Sequence, residues 1–358
     1  MVSVLALTLA ACGSDNPTGE GEPTEGASAE QAGGELSGTL NGGGASSQEN
    51  AMNAWRAGFQ ELNPDATVNY DPVGSGSGRE GFLAGTYAFA GTDSAFDEEE
   101  LAAAEEVCGP DGLIQVPGYV SPVAVAFNLE GIDSLNMTPD TIARIFAGEI
   151  TTWNDQAIAA DNPDAELPDT PITVVHRSDP SGTTENFQDY LAAVAPDVWT
   201  YEVEDVWPIK GQESGAQTSG VIQAVQSGTG TITYADASQA AGLGSVAVGV
   251  GDEFVPYSPE AAAAVVEASP RVEGQGESNY AVELEREVAG TYPIVLVSYS
   301  VACTTYDDQE TADLVKGFLG YVLSEEGQTA AAEAAGSAPL SAELQEQVLP
   351  VIESITAG

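Results

Sequence analysis

The chain has 358 residues, enough for two domains and a sizeable core. Its 56 acidic residues against 8 basic ones give a formal net charge of −48, and lysine is reduced to Lys210 and Lys316. That balance excludes a nucleic-acid partner, which needs basic patches, and it suits a salty medium, where the Debye length falls to roughly 3 Å at 1 M.

Met1 to Ala11 are apolar and uncharged and end in Leu9-Ala10-Ala11-Cys12. This is similar to the tail of a bacterial lipoprotein signal peptide with its lipobox, and makes Cys12 the lipidated residue. Signal peptides open with positive charge; its absence points to a true start upstream of Met1. Residues 12–35 are Gly, Ser, Pro, Thr and Glu with almost no bulky apolar side chain, so they read as a flexible tether. The mature protein is then expected outside the cytoplasm, lipid-anchored to the cell membrane. In that setting Cys108 and Cys303 are expected to form a disulfide. No CxxC or His/Cys cluster exists, so no metal site and no cofactor are expected.

Ser37 to Leu40 reads as a short strand. Asn41-Gly42-Gly43-Gly44-Ala45-Ser46-Ser47 follows as a Gly-rich loop, and Ala51, Trp55, Phe59 and Leu62 recur on one face of a helix. The device repeats: Ala66 to Tyr70 is a strand, Val73-Gly74-Ser75-Gly76-Ser77-Gly78-Arg79 a loop, and a short helix covers Glu80 to Ala84. The spacing fits neither a nucleophile elbow nor a P-loop. Arg79 is read as a surface residue at a helix start, in preference to a charge at the rim of a cleft. Tyr87 to Ser94 is a strand leading into Asp93, placed where α/β folds put ligands. The alternative is an Asp cap for the helix near Glu98 to Glu106.

Val116 to Asn128 is apolar and β-rich and reads as a crossing between domains. Thr138-Pro139 opens a helix whose buried face is Ile142, Ile145 and Phe146 and which Gly148 ends. Ile172 to Val175 is a strand, and Phe187, Tyr190, Leu191 and Val194 recur at helical spacing. Between them lie Arg177, Asp179, Ser181, Gly182 and Thr183. A helix start offers unpaired N–H groups and partial positive charge; Ser181 and Thr183 add hydroxyl donors, and Arg177 adds a charged fork. The set suits a small oxyanion. The plainer alternative is a Ser/Thr cap beside a surface arginine. Gly220 to Val225 reads as helix and Gly230 to Tyr234 as strand. Glu253 to Glu277 is acidic and alanine-rich and reads as peripheral. Tyr292 to Val301 crosses back, and Leu314, Val315, Phe318, Leu319 and Val322 mark a long amphipathic helix.

Alternating strands and helices predict an α/β fold. Anion loops from distant parts of the chain meet only if two lobes enclose a cleft. The sequence at this point resembles the phosphate-binding proteins of bacterial phosphate ABC transporters, a periplasmic-binding-protein fold of two mixed-sheet lobes joined by two hinge crossings. Leu40 to Ser47 with Trp55 is similar to the first loop of that family, which usually ends Thr-Phe or Ser-aliphatic, so Ser47 is a departure. Gly74 to Gly78 matches the second loop, Phe89 to Asp93 the segment of the ligand aspartate, and Ile145 to Asp155 a helix-and-turn segment. Arg177 to Thr183 matches Arg-x-Asp-x-Ser-Gly-Thr, the most specific motif, and Trp207-Pro208 and Gly230 to Tyr234 extend the likeness.

The resemblance implies phosphate held by Ser46, Ser47, Ser75, Asp93, Arg177, Ser181, Gly182 and Thr183, with Asp179 orienting Arg177. It implies that Asp93 accepts a hydrogen bond from the proton that phosphate carries, and that no residue is catalytic. The lobes are expected at 36–118 plus 293–358 and at 119–292, in a monomer that delivers phosphate to a membrane permease. Two other readings compete. One is a binder of another oxyanion, such as sulfate or molybdate, against which Asp93 argues. The other is a phosphatase or serine hydrolase, which would have to use His176, the only histidine.

Overall fold

The computed structural model describes residues 36–110 and 112–358. Residues 1–11, the tether 12–35 and Cys12 lie outside the described residues.

The order is β1 (Gly38–Gly44), α1 (Glu49–Leu62), β2 (Ala66–Asp71), α2 (Ser75–Leu83), β3 (Phe89–Thr92), α3 (Glu98–Cys108) and the long β4 (Leu113–Asn128). Then come β5 (Ser134–Met137), α4 (Pro139–Phe146), α5 (Gln156–Asp161), β6 (Thr173–Arg177), α6 (Gly182–Val194), β7 (Glu213–Gly215), α7 (Gln217–Ser227), β8 (Thr231–Asp236), β9 (Gly244–Val250), β10 (Glu253–Val255) and α8 (Pro259–Ala268). The chain closes with β11 (Val295–Cys303), β12 (Thr305–Tyr306), α9 (Gln309–Leu323), α10 (Glu325–Ala335), α11 (Ala342–Glu353) and β13 (Thr356–Ala357).

This is the expected α/β class with a mixed sheet. Strands run β2-β1-β3-β11-β4-β8-β6-β7. β1 pairs parallel with β2 and β3, and β6 parallel with β8 and β7. β4 and β11 link these two parallel sets. Leu113 to Pro122 pairs with β11, and Val123 to Asn128 pairs with β8. One strand thus joins both sets. Its residues are buried on both faces up to Phe127, as its continuous apolar pattern requires.

The core follows the apolar periodicity. Trp55 and Phe59 on α1 are buried, and Trp55 Nε1 donates to the Gly327 carbonyl at 2.8 Å. Leu62, expected on that face, is 48% exposed as the last residue of α1, while Met52, one turn before Trp55, is buried with it. Leu314, Val315, Phe318, Leu319 and Val322 all lie inside on α9. The stretch 253–277 is less peripheral than expected: α8 buries Ala262 and Val265 against β4.

Two loop assignments change. Gly42, Gly43 and Gly44 are strand, not loop. The Phe89 and Tyr87 rings lie against Gly42 and Gly43 where side chains would otherwise stand. Gly44 turns to φ +143° beside the Gly91 carbonyl, a place for glycine alone. Likewise Ser75 to Gly78 form the first turn of α2.

Cys108 and Cys303 form a disulfide, with Cα atoms 5.1 Å apart and 195 residues between them. It ties the end of α3 to the end of β11.

Candidate oxyanion-binding site

The site residues stand at the C-terminal ends of parallel strands and the N-terminal ends of the helices that follow. β1 leads to Ser46 and Ser47, β3 to Asp93, and β6 ends in Arg177. Within each parallel set, β1 with β3 and β6 with β8, the carboxyl ends lie on one side, where the loops leave a crevice.

Asp93 is the hub, 3% exposed. Ser47 Oγ lies 2.8 Å from both of its carboxylate oxygens and donates to them, and Thr183 Oγ1 donates to Oδ2 at 2.9 Å. Its own N–H donates to Ser75 Oγ at 3.1 Å, and Asn186 Nδ2 donates to its carbonyl at 2.6 Å. Ser47 follows β1 and Ser75 opens α2, whereas Thr183 and Asn186 lie on α6, so the aspartate joins segments about 90 residues apart in the chain. Burial pushes its carboxyl above the usual range. The hydroxyls of Ser47 and Thr183, the facing Ser298 hydroxyl and the charge of Arg177 pull it back down. Among the described residues no partner lies within ordinary hydrogen-bond geometry of Ser298 Oγ. The cap alternative fails here, because Asp97 caps α3.

Arg177 is 4% exposed. Asp179 grips it in a fork: Nε donates to Oδ1 at 2.9 Å and Nη2 to Oδ2 at 2.5 Å. Asp179 also accepts from the Gln217 N–H at 2.9 Å, and Gln217 holds φ +61°, the one such non-glycine residue among those described. A guanidinium fixed by one carboxylate keeps its remaining N–H groups aimed in a set direction.

Ser181 serves both readings. Its hydroxyl accepts from the Thr184 N–H at 3.3 Å, capping α6, and its own hydrogen remains free to donate. Gly182 packs against Asp93 and Ser75, so the first turn of α6 faces the aspartate. Ser46 turns elsewhere: its hydroxyl bonds Thr218 Oγ1 at 3.1 Å and accepts from the Thr218 N–H at 3.1 Å. Ser75 contributes as the acceptor of the Asp93 amide. Aromatic rings pack behind Arg177, whose N–H donates to Tyr234 OH at 3.4 Å. Phe187 stacks on Tyr234 at 4.6 Å, and Trp207 on Tyr234 at 5.4 Å.

His176 stacks on Trp207 at 5.5 Å, and its Nδ1 lies 2.7 Å from the Arg177 carbonyl. Neither contact is to a site serine. Sequence reasoning missed Asn186, Gln217 and Thr218. Asn186 lies one helical turn beyond Gly182, a spacing that carried the signal; Gln217 and Thr218 carried none. Arg79 is a correction: it is buried, not a surface residue, and pairs with Glu100 and Asp205.

A PBP superfamily domain matches residues 29–326. Phosphate-binding protein PstS 3 of Mycobacterium leprae is 34% identical over 320 residues, covering 87% of this chain and 86% of that protein. Its namesake in Mycobacterium tuberculosis is 35% identical over 324 residues, covering 88% and 86%. The chain belongs to the PstS family of the PBP superfamily. Its fold is that of a solved high affinity periplasmic phosphate-binding protein (PfluDING) bound with phosphate at pH 8.5. The two superpose with TM-score 0.72 at 24% identity, over 87% of this chain and 93% of the other.

Proposed function

We propose that this protein binds inorganic phosphate outside the cytoplasm and delivers it to a membrane ABC permease. One observation carries the reading: a buried carboxylate, Asp93, takes hydroxyl donors from Ser47 after β1 and Thr183 on α6 and lies within the field of the Arg177 guanidinium. Donors alone would suit any small oxyanion. A carboxylate among them suits only an anion that brings its own proton, since an ionised carboxylate can only accept. Phosphate near neutral pH carries at least one proton; sulfate carries none. The names of the PstS relatives support the same ligand.

Ser47, Ser75, Arg177, Ser181, Gly182 and Thr183 form the ligand shell with Asp93, Ser46 borders it with its hydroxyl held by Thr218, and Asp179 holds Arg177. Segments 36–118 plus 293–358 form one lobe and 119–292 the other. The protein is a monomer that performs no chemistry on its ligand. His176, committed to Trp207 and to a backbone carbonyl, gives no base for a serine hydrolase. Cys12 carries the lipid that holds it at the membrane.

Paired calorimetric titrations with phosphate and sulfate test the ligand. Tight phosphate binding with sulfate rejected is the expected result; equal binding of both, or no phosphate heat, refutes it. Detergent partitioning of the protein with a complete signal peptide tests the anchor, which fails if Cys12→Ala partitions as the parent does.

A further inference from the structure

Arg79 is 7% exposed and three of its contacts come from its own lobe. Nε meets Glu100 Oε1 at 2.7 Å, and Nη1 donates to Thr92 Oγ1 at 3.0 Å and to Ser94 Oγ at 2.8 Å. Glu100 is itself fixed, because its other oxygen accepts from the Asp97 N–H at 3.1 Å in the cap of α3. The guanidinium is therefore positioned before the other lobe contributes anything. Only Nη2 crosses, to Asp205 Oδ2 at 3.2 Å.

Asp205 lies in the segment between α6 and β7 and is tied to the site. Its carbonyl accepts from the Ser181 N–H at 2.9 Å. The approach is close: a Cβ on Gly76 would lie 2.7 Å from Asp205 Oδ2 and 2.6 Å from Pro180 Cβ. The glycine in the first turn of α2 is thus what lets this edge of the second lobe seat on the first. Glu185, on α6, also faces Arg79. In a chain of net charge −48, Glu100, Glu185 and Asp205 converge on this one cation.

We propose that Arg79 and Asp205 form an ionic latch between the lobes, which holds the closed state and sets how long phosphate stays bound. This rests on the phosphate reading and adds to it a positioning role for two residues outside the ligand shell. Nη2 gains its carboxylate only on closure, so the pair favours the closed state over the open one, and only such a differential contact shifts an equilibrium. Because Asp205 also holds the Ser181 amide, latching and ordering of the anion loop occur together.

The test is stopped-flow and calorimetric phosphate binding with parent, Asp205→Ala, Arg79→Met and the double variant, alongside small-angle scattering of the ligand-free proteins. Asp205→Ala leaves Arg79 with Glu100, Thr92 and Ser94, so the fold is retained. Its dissociation rate should rise about tenfold, with the association rate nearly unchanged. Its phosphate-to-sulfate preference should match the parent's, because Asp93 is untouched. Arg79→Met should do more, since it leaves three carboxylates facing one another, and Asp205→Ala should soften that loss. A dissociation rate within twofold of the parent's for Asp205→Ala overturns the latch, as does a loss confined to association rate and melting temperature. If the parent fails to bind phosphate the ligand reading falls. The latch is then judged by scattering alone: Asp205→Ala must expand the ligand-free protein, and an unchanged radius of gyration overturns it.

Discussion

Asp93→Asn exchanges a buried anion for a neutral amide of the same shape. The parent carboxylate takes Ser47 Oγ at 2.8 Å on both oxygens and Thr183 Oγ1 at 2.9 Å. The amide keeps one acceptor, and the second hydroxyl can rotate to accept from the new NH2. A typical hydrogen bond is worth about 1 kcal/mol net, and burying a charge is no longer required, so folding stability should change by only about 1 kcal/mol. Phosphate loses one charge-assisted bond worth about 1.5–3 kcal/mol, or roughly ten- to a hundredfold in affinity at about 1.4 kcal/mol per decade. Sulfate gains, because a bare oxygen no longer meets a buried negative charge. The phosphate-to-sulfate ratio should therefore contract by about a hundredfold or more, read from paired titrations at one ionic strength. Acid should mimic the substitution. Burial raises the Asp93 carboxyl above its ordinary value. As pH falls through that value the parent's carboxyl becomes a donor and its sulfate rejection should fade, while the variant's stays flat. An unchanged ratio, or a parent whose rejection of sulfate grows in acid, would show that Asp93 does not read the proton.

Arg177→Ala removes the guanidinium and leaves Asp179 as an unpaired carboxylate facing an anion; phosphate affinity should fall by about 2–5 kcal/mol, measured by calorimetry with circular dichroism confirming the fold. Replacing Cys108 and Cys303 with serine opens a closure of 195 residues and should cost up to about 5 kcal/mol in denaturant unfolding; addition of reductant should reproduce the loss in the parent and not in the variant. Asp236 is buried with Tyr119 OH 3.2 Å from both oxygens and the Ser238 N–H donating at 2.9 Å, and burial pushes its carboxyl from 3.8 up to about 7. A raised folded value means this contribution to stability is fully present below about pH 4 and is lost as pH rises toward 7. Asp236→Asn should therefore flatten the pH dependence of unfolding across that window, by up to about 4 kcal/mol; an unchanged slope refutes the assignment.

The chain order of strand, small-residue turn and helix was legible because each piece is written locally. β-branched runs end in serine and glycine, and apolar residues then recur at helical spacing, as at Phe187, Tyr190 and Leu191. Arg177 and Asp179 are two residues apart on one turn, so their fork was also a local matter. The Cys108–Cys303 bond followed from compartment and parity, without geometry. What the sequence could not show were relations across hundreds of residues. Gly42 and Gly43 read as a flexible loop because their reason for being glycine lies in the Tyr87 and Phe89 rings, brought alongside by strand pairing. Arg79 read as a surface charge because the Glu100 and Asp205 that bury it stand 21 and 126 residues away. Ser46 read as a simple donor, yet its hydroxyl bonds Thr218, 172 residues on. Side-chain type and local period determine which elements form and where donors gather. Only the tertiary fold, by setting distant segments against one another, decides which of those donors meet Asp93 and that Arg79 of an acidic chain is buried between Glu100 and Asp205.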